Sequence, residues 1–154
     1  MLYLGHIIGV DRVRVHEEKI RAIRDWPEPR NVTELWGFVG ICTYYRKFVK
    51  GFSQLAAPLI DVTKKGAFSW TDTAQRTFDK LKDLMSNYPV LVLPNFTQPF
   101  IHECDASREG IGTVLMQGGH PIAFESWKLL PHERLYAIYD KEMLAIMHAL
   151  AKLQ

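Results

Sequence analysis

The first part of the chain combines a short β-prone run with amphipathic helices. Residues 2–8 are mostly apolar and are interrupted by Gly5, which predicts a short strand segment with a break. Further on, Ile20, Ile23 and Trp26 recur at three-residue spacing among charged residues. This spacing predicts an amphipathic helix, which two prolines bring to an end shortly after the tryptophan.

Two more helices are predicted before residue 66. Asn31 is in position to cap a helix, and Glu34 follows three residues later, where it would complete a capping box. Apolar residues at i, i+3 and i+4 predict that this helix continues to about Lys50. A shorter helix is predicted over residues 58–65, with Pro58 in its first turn. The pattern therefore favours a small helical bundle.

The second part of the chain changes to a strand-rich pattern after one more helix. Thr71 is a good N-cap for that helix, which is predicted to end near Asn87, before a connector that contains three prolines. The glycine pair at 118 and 119 predicts a hairpin between the second and third of three strands. The predicted strands are Phe100–Cys104, Ile111–Gln117 and Pro121–Ser126.

A last helix is predicted to begin with Asp140 as its N-cap and to continue to the end of the chain. The residues expected to be buried on it are Leu144, Met147, Leu150 and Ala151. The order of elements predicts an α+β fold, in which a small helical bundle precedes a three-stranded sheet with a C-terminal helix. The predicted bounds are 1–66 for the helical region, 67–99 for a helix and linker, and 100–154 for the sheet region.

Composition excludes several classes of protein. The 154 residues are 47% hydrophobic and 12% aromatic, which excludes full disorder. No run reaches the ~18–20 apolar residues of a membrane span, so no membrane partner is expected, and the first residues lack the features of a signal peptide. The two cysteines, Cys42 and Cys104, favour a reducing, intracellular location, with cytoplasm and nucleus both open.

Charge is distributed unevenly along the chain. Residues 1–66 carry eleven basic and seven acidic side chains, which gives 11 − 7 = +4, whereas residues 67–154 carry eight and ten, which gives 8 − 10 = −2. A basic first part suits a phosphate-facing surface, and an acidic second part suits a carboxylate site. Ordinary scatter of solvated charge is the alternative.

One face of the second helix combines aromatic, glycine and basic residues. A glycine lets another backbone approach closely, an aromatic ring offers a flat contact surface, and a lysine can reach a phosphate. The alternative is that the aromatic residues pack against neighbouring helices. The face consists of Trp36, Gly40, Thr43, Tyr44 and Lys47, and the basic residues that flank it are Arg46 and Lys50.

Two carboxylates lie where a metal site could form. Asp105 ends the first strand of the sheet region, and Glu142 lies in the first turn of the last helix. On adjacent elements they could converge on a hard cation such as Mg²⁺, although turn formation and helix-dipole stabilisation explain them equally simply. Acidic residues nearby that could supply a further ligand are Glu103, Glu109 and Asp140.

Taken together, these segments resemble the polymerase polyprotein of gypsy-type long-terminal-repeat retrotransposons over nearly the whole chain. YLGHII resembles the end of the reverse-transcriptase core, and the segment from HEEKIRAIRDW to APLIDVTKKG resembles the thumb region. The stretch from FSWTDTAQRTF to LPNFTQPF resembles the linker into the ribonuclease H domain. HECDASREGIGTVLMQGG and YDKEMLAIMHAL resemble the first half of that domain.

The resemblance implies roles for individual residues. Gly40 and Tyr44, with Lys47 nearby, would lie along the minor groove of a template–primer duplex, which favours the nucleic-acid interpretation of that face. Gly5 and His6 would belong to the turn that contacts the primer.

The resemblance also implies that Asp105 and Glu142 are the first two metal-binding carboxylates of ribonuclease H. The polymerase aspartates would precede residue 1, and the third and fourth ribonuclease H carboxylates would follow Gln154. Polymerisation is therefore not expected. Two vestigial carboxylates should bind Mg²⁺ weakly, because this ion demands near-octahedral geometry.

Three functions stay open from the sequence. The first prediction is a truncated reverse-transcriptase and ribonuclease H fragment that is catalytically inactive and that self-associates or binds a protein partner. Its cut sheet edge and helix face would need such a cover. The second is a module that binds an RNA–DNA hybrid or a duplex, and the third is a residual Mg²⁺-dependent ribonuclease H.

Overall fold

The computed structural model describes residues 1–64, 66–88 and 90–152, except the side chains of residues 3, 149, 150 and 152. Its elements confirm the predicted α+β class, with helices before a three-stranded sheet and a last helix over it. The helices are α1 (Glu17–Arg24), α2 (Val32–Tyr44), α3 (Phe52–Lys64), α4 (Asp72–Ser86) and α5 (Ile138–Lys152). The strands are β1 (Leu2–Tyr3), β2 (His6–Ile8), β3 (Arg12–Val15), β4 (Leu91–Val92), β5 (Ile101–Ala106), β6 (Gly110–Gln117) and β7 (His120–Lys128).

A small antiparallel sheet in the order β1-β2-β3-β4 accompanies the helices of the first part. The sequence predicts only its first run, over residues 2–8, and misses β3 and β4. In β3, Val13 and Val15 are buried while Arg12 and Arg14 are exposed, but four residues are too few for a clear period of two. β4 has two residues and is ordered by pairing with β3, from which it lies far along the chain.

The helices of the first part enclose the larger core of the molecule. Fully buried side chains from α1, α2, α3 and α4 meet there, and the rings of Phe38 and Phe78 lie 4.6 Å apart between centroids. Two of the three predicted N-caps are confirmed: Asn31 Oδ1 accepts from Glu34 N at 2.9 Å, and Thr71 Oγ1 accepts from Ala74 N at 3.1 Å.

Two helix boundaries differ from the predictions. α2 ends at Tyr44 rather than near Lys50, and a 3-10 turn over Arg46–Phe48 follows it. Tyr45 and Phe48 are both buried in the core, whereas a continuous helix would turn Phe48, six residues after Cys42, away from the buried side of α2. α3 begins at Phe52, so Pro58 lies inside it and not in its first turn. Lys65, the predicted end of α3, lies outside the described residues.

The sheet of the second part is antiparallel, in the order β5-β6-β7. The predicted hairpin is confirmed: Gly118 and Gly119 join β6 to β7 with φ values of 58° and 77°, which favour glycine. β7 also packs against α3, β4 and the 3-10 turn, so the sheet lies directly against the helical part.

α5 covers one face of this sheet, and three predictions about it are wrong. Asp140 lies within the first turn and is not the N-cap, because the helix begins at Ile138. Met147 is 62% exposed, and Ala151 is exposed as well. Ala145 is fully buried instead, since it lies about half a turn from Met147 and its small side chain allows close contact with the sheet. The side chain of Leu150 lies outside the described residues. No described helix is long and apolar enough to cross a membrane.

Candidate nucleic-acid interface and carboxylate site

Three of the predicted contact residues lie together on the solvent side of α2. Trp36, Gly40 and Tyr44 are spaced by four residues, and we call them the α2 face. Trp36 and Tyr44 are each 51% exposed, so about half of each side chain is not buried against neighbouring helices. A Cβ atom added to Gly40 would meet no described atom within 4 Å.

The α2 face continues onto the turn between β1 and β2. The Tyr44 hydroxyl donates a hydrogen bond to the Leu4 carbonyl oxygen at 3.1 Å. Leu4 and Gly5 both have positive φ, at 46° and 80°, and Leu4 is 68% exposed. A side chain on Gly5 would also clash with the Tyr45 hydroxyl, so this position requires glycine. Leu4 holds a conformation that is costly for a leucine.

His6 lies beneath this turn and does not line it. Its side chain is buried, and its ring centroid is 5.5 Å from that of Tyr44, 5.3 Å from that of Tyr45 and 5.8 Å from that of Phe48. Burial raises the pKa of the Tyr45 phenol, and the neighbouring Tyr44 adds to that rise. The aromatic cluster therefore supports the turn from below.

Two lysines lie near these residues. Lys47 follows Tyr44 by three residues, in the 3-10 turn, with its ammonium nitrogen 5.4 Å from the centroid of the Phe48 ring. Lys19, on α1, lines the same depression of about 500 Å³ as Leu4 and Tyr44. The sequence did not single out Lys19, because only the packing of α1 brings it to the β1–β2 turn.

The two predicted carboxylates lie on elements that contact each other. Asp105 is in β5, opposite Gly112 of β6, and Glu142 is in α5, which packs against β5. Strand alternation turns Asp105 away from the face that carries Cys104, which belongs to the cluster under α5. Burial raises the pKa of the Cys104 thiol, and the Glu142 carboxylate raises it further.

The described residues provide no complete set of metal ligands. Nowhere in the described ranges do three or more His, Cys, Asp or Glu side chains group so as to hold a metal ion. Glu103 shares the strand face of Asp105, as predicted, whereas Glu109 pairs with Arg134 at 3.4 Å. Because Mg²⁺ requires near-octahedral coordination, this arrangement of described residues does not fit a resident ion.

Comparison with known proteins identifies the relatives of the chain. Residues 70–154 match the model of an RNase H-like domain found in reverse transcriptase. The retrovirus-related Pol polyprotein from transposon gypsy of Drosophila melanogaster is 36% identical, over 99% of this chain and 16% of that protein. The corresponding polyprotein from transposon 297 of the same species is 38% identical, over 96% of this chain and 14% of that protein. The chain thus spans a small part of these relatives.

Solved structures show the same fold. A foamy viral protease-reverse transcriptase in complex with an RNA/DNA hybrid matches with a TM-score of 0.90 and 22% identity, over 99% of this chain and 21% of that one. The same viral protein in complex with dsDNA matches with a TM-score of 0.90 and 22% identity, over 33% of its chain. With more than half of its residues in the family match, this chain belongs to the RNase H-like domains found in reverse transcriptases, and its relatives are retrotransposon Pol polyproteins.

Proposed function

We propose that this chain binds an RNA–DNA hybrid or a DNA duplex through the α2 face and the β1–β2 turn, and that it does not cleave what it binds. The observation that carries the proposal is the open surface around Gly40. The foamy viral structures of the same fold hold an RNA/DNA hybrid or dsDNA, which supports this class of ligand.

Gly40 lowers the stability of the fold, and its lack of a side chain benefits only a ligand that approaches α2 from outside. A glycine within a helix destabilises by roughly 0.5–1 kcal/mol relative to alanine. Here it has no positive φ, and no described atom would be touched by a methyl group. Folding therefore does not require glycine at this position. A ligand backbone that approaches α2 closely would require it, and the flanking Trp36 and Tyr44 would meet the same ligand.

Charge around the face suits a polyanion. Lys19 borders the β1–β2 turn, Lys47 follows the end of α2, and residues 1–66 carry a net charge of 11 − 7 = +4. Contacts of this kind release counterions, so binding should weaken linearly on a log–log plot against salt concentration. Tyr44→Ala combined with Lys47→Ala should weaken hybrid binding and flatten that dependence.

Two alanine substitutions on α2 provide the decisive test. Gly37 is exposed like Gly40, but its added methyl group would touch only the Trp26 ring, at 3.5 Å. Gly37→Ala and Gly40→Ala should both stabilise the protein by roughly 0.5–1 kcal/mol in urea unfolding. Only Gly40→Ala should weaken hybrid binding in fluorescence anisotropy, by about tenfold, which corresponds to about 1.4 kcal/mol.

Equal affinities of the two variants for the hybrid would refute the α2 face as the binding surface. For the second half of the proposal, the RNA strand of a bound hybrid should stay intact in Mg²⁺ over hours. Metal-dependent cleavage that disappears in Asp105→Asn would instead establish a residual ribonuclease H.

A second proposal, association with another copy of the chain, is favoured by the outward side of α5. Large apolar side chains are exposed there although the other side of the helix already covers the sheet. An exposed apolar patch of this kind is typical of a protein–protein contact. The residues are Tyr139, Met143, Ile146 and Met147.

Light scattering at increasing protein concentration tests this association. The mass should rise above that of one chain, and Met143→Glu combined with Met147→Glu should return it to the monomer value. Lys80→Glu, on the exposed side of α4, is the control for an added negative charge. A monomeric mass for the unmodified chain at all concentrations would contradict the proposal.

A further inference from the structure

The contact between the helical part and the sheet includes a polar cluster around Arg46. This residue lies in the 3-10 turn that follows α2, two positions after Tyr44. Its Nη2 atom is 2.9 Å from Glu125 Oε1 and also donates to the carbonyl oxygen of Ser126, both in β7. Hydrogen bonds that involve a charged donor are about twice as strong as neutral ones. Arg46 therefore joins the end of α2 to the sheet.

Ser53, in the first turn of α3, completes this cluster. Its backbone N–H donates to Ser126 Oγ at 2.9 Å, and its hydroxyl donates to the Ser126 carbonyl oxygen at 2.7 Å. The same hydroxyl accepts from Arg46 Nη2 at 3.1 Å. Ser126 is 1% exposed, so these bonds are sheltered from water. We call Arg46, Ser53, Glu125 and Ser126 the Arg46 cluster.

The sequence placed Arg46 among the basic residues that flank the α2 face, where it could reach a phosphate. The structure gives its guanidinium three partners within the molecule, and its side chain is only 32% exposed. Lys47, the next residue, is exposed. Lys47 is therefore free to contact a duplex, whereas the guanidinium of Arg46 is engaged by contacts within the molecule.

The Arg46 cluster connects the two surfaces that a duplex would meet. On one side it follows Tyr44 of the α2 face directly along the chain. On the other, Ser126 pairs with Gly112 in β6, and Gly112 pairs with Asp105 in β5. A short path of backbone and hydrogen bonds thus joins the α2 face to the strand that carries Asp105.

We propose that Arg46 is a positioning residue that sets the orientation of the carboxylate-bearing sheet relative to the α2 face, so that both lie along one duplex. The role along a duplex rests on the proposed function. Two parts of a chain that meet through a small, partly polar contact usually move relative to each other. The charge-assisted bonds of Arg46 restrict this motion and thereby set the angle between the parts. Phe124 of β7 packs against the core of the helical part, so loss of Arg46 loosens the orientation without separating the parts.

Pulsed electron paramagnetic resonance tests this role without any nucleic acid. Spin labels are placed at the exposed positions of Arg30→Cys and His120→Cys in a Cys104→Ser background, where the remaining Cys42 is fully buried. The parent should give one narrow distance distribution. Arg46→Ala should broaden it at least twofold. Ser53→Ala, which removes no charge but takes away one acceptor of the Arg46 guanidinium, should broaden it as well. Arg76→Ala, on the exposed side of α4, is the control for a lost positive charge.

Unchanged distributions in both Arg46→Ala and Ser53→Ala would overturn the proposal. Far-ultraviolet circular dichroism and a thermal melt confirm that each variant is folded, and Ser53→Ala serves as a milder variant if Arg46→Ala unfolds. Samples frozen from well below the melting temperature contain folded molecules almost exclusively. Loss of a residue that merely adds stability would therefore lower the melting temperature without broadening the distances.

Footprinting on a hybrid then connects orientation to binding. Arg46→Ala and Ser53→Ala should both keep the affinity that Gly40→Ala loses, but both should protect a shorter stretch of the duplex. A loss of affinity in Arg46→Ala with an unchanged footprint in Ser53→Ala would show that Arg46 binds phosphate, and would refute the positioning role. If the unmodified chain binds no hybrid, the proposed function fails, while the distance measurement still decides the role of Arg46.

Discussion

The helical part and the sheet part of this molecule differ most in the size of their cores. Among the described residues, the cluster inside the helical part contains nineteen buried residues, and the cluster between the sheet and α5 contains three. The three are Ile111, Leu129 and Ala145. The helical part can therefore stabilise itself, whereas the sheet part buries too little apolar surface to do so alone.

The sheet part buries additional apolar surface against the helical part. β7 packs against α3, β4 and the 3-10 turn, and Phe124 reaches the core of the helical part. The reverse dependence is weak, because the helices bury their large side chains among themselves. We therefore expect the sheet to be ordered only while the helical part is folded.

The largest effect should come from core truncations in the two parts. Phe38→Ala should cost about 3–5 kcal/mol of the free energy of unfolding, because Phe38 is fully buried against Phe78. Ile111→Ala should cost about 2–5 kcal/mol, but only within the sheet part. Hydrogen exchange measured by mass spectrometry should show protection lost everywhere in the first variant, and in β5, β6, β7 and α5 in the second.

Loss of protection in α2 and α3 of Ile111→Ala, as large as in the sheet, would contradict this comparison. It would show that both parts unfold as one cooperative unit. Ile41→Ala, at a partly buried position of α2, is a matched control for the loss of an isoleucine.

A smaller loss of stability is expected when the hydrogen bonds between the linker and the sheet are removed. Gln117 is 6% exposed, and its side chain accepts from Asn95 N at 2.8 Å and donates to the carbonyl oxygens of Asn95 and Gln98 at 2.8 and 3.1 Å. Gln117→Ala would leave these backbone groups without this partner and should cost about 1–3 kcal/mol in urea unfolding. Limited proteolysis should then cut within residues 95–98.

Gln98→Ala keeps the backbone carbonyl that Gln117 binds, and it should therefore leave both stability and proteolysis unchanged. If Gln117→Ala is cut no faster than this control, the linker is held by something other than the Gln117 amide.

The smallest expected effect is a loss of stability at alkaline pH, to which Cys42 should contribute more than Cys104. Burial raises the pKa of Cys42 from 9.0 to about 12. Above pH 9 the Cys42 thiol loses its proton in the unfolded chain but keeps it in the folded chain, so the folded state becomes less stable as pH rises. The loss of stability from this one group is at most about 1.4 kcal/mol between pH 9 and pH 10. Burial raises the pKa of Tyr88 as well, which acts in the same direction.

Urea unfolding at pH 8, 9 and 10 measures this dependence. Cys42→Ala should reduce the loss of stability with pH, whatever its cost at pH 8. Cys104→Ala should change it less, because Cys104 is less buried than Cys42. Identical pH dependences in the two variants would show that the Cys42 thiol does not contribute.

The elements that the sequence predicts correctly are those with local signals. The caps at Asn31 and Thr71, the prolines before α2 and the glycine pair between β6 and β7 each act within a few residues. The predicted bounds of 1–66, 67–99 and 100–154 stay a prediction. Wrong boundaries occur where burial of a distant group decides, as when the chain leaves α2 to bury Phe48.

The candidate site divides in the same way. Helical spacing alone places Trp36, Gly40 and Tyr44 on one side of α2, and the structure shows that this side is open to solvent. Spacing could not show that His6 is buried under the turn, or that Lys19 lies beside it. Both facts depend on how α1, α2 and the small sheet pack together.

The sequence by itself determined the order of the five helices and of the three strands of the second sheet, the family, and the residues on one side of α2. These depend on periodicity and on caps, which are properties of neighbouring residues. Only the tertiary structure decided that Arg46 binds β7, that β4 returns to β3, and that Met147 faces solvent while Ala145 faces the sheet. Each of these depends on contacts between residues far apart in the chain, whose geometry no local pattern contains.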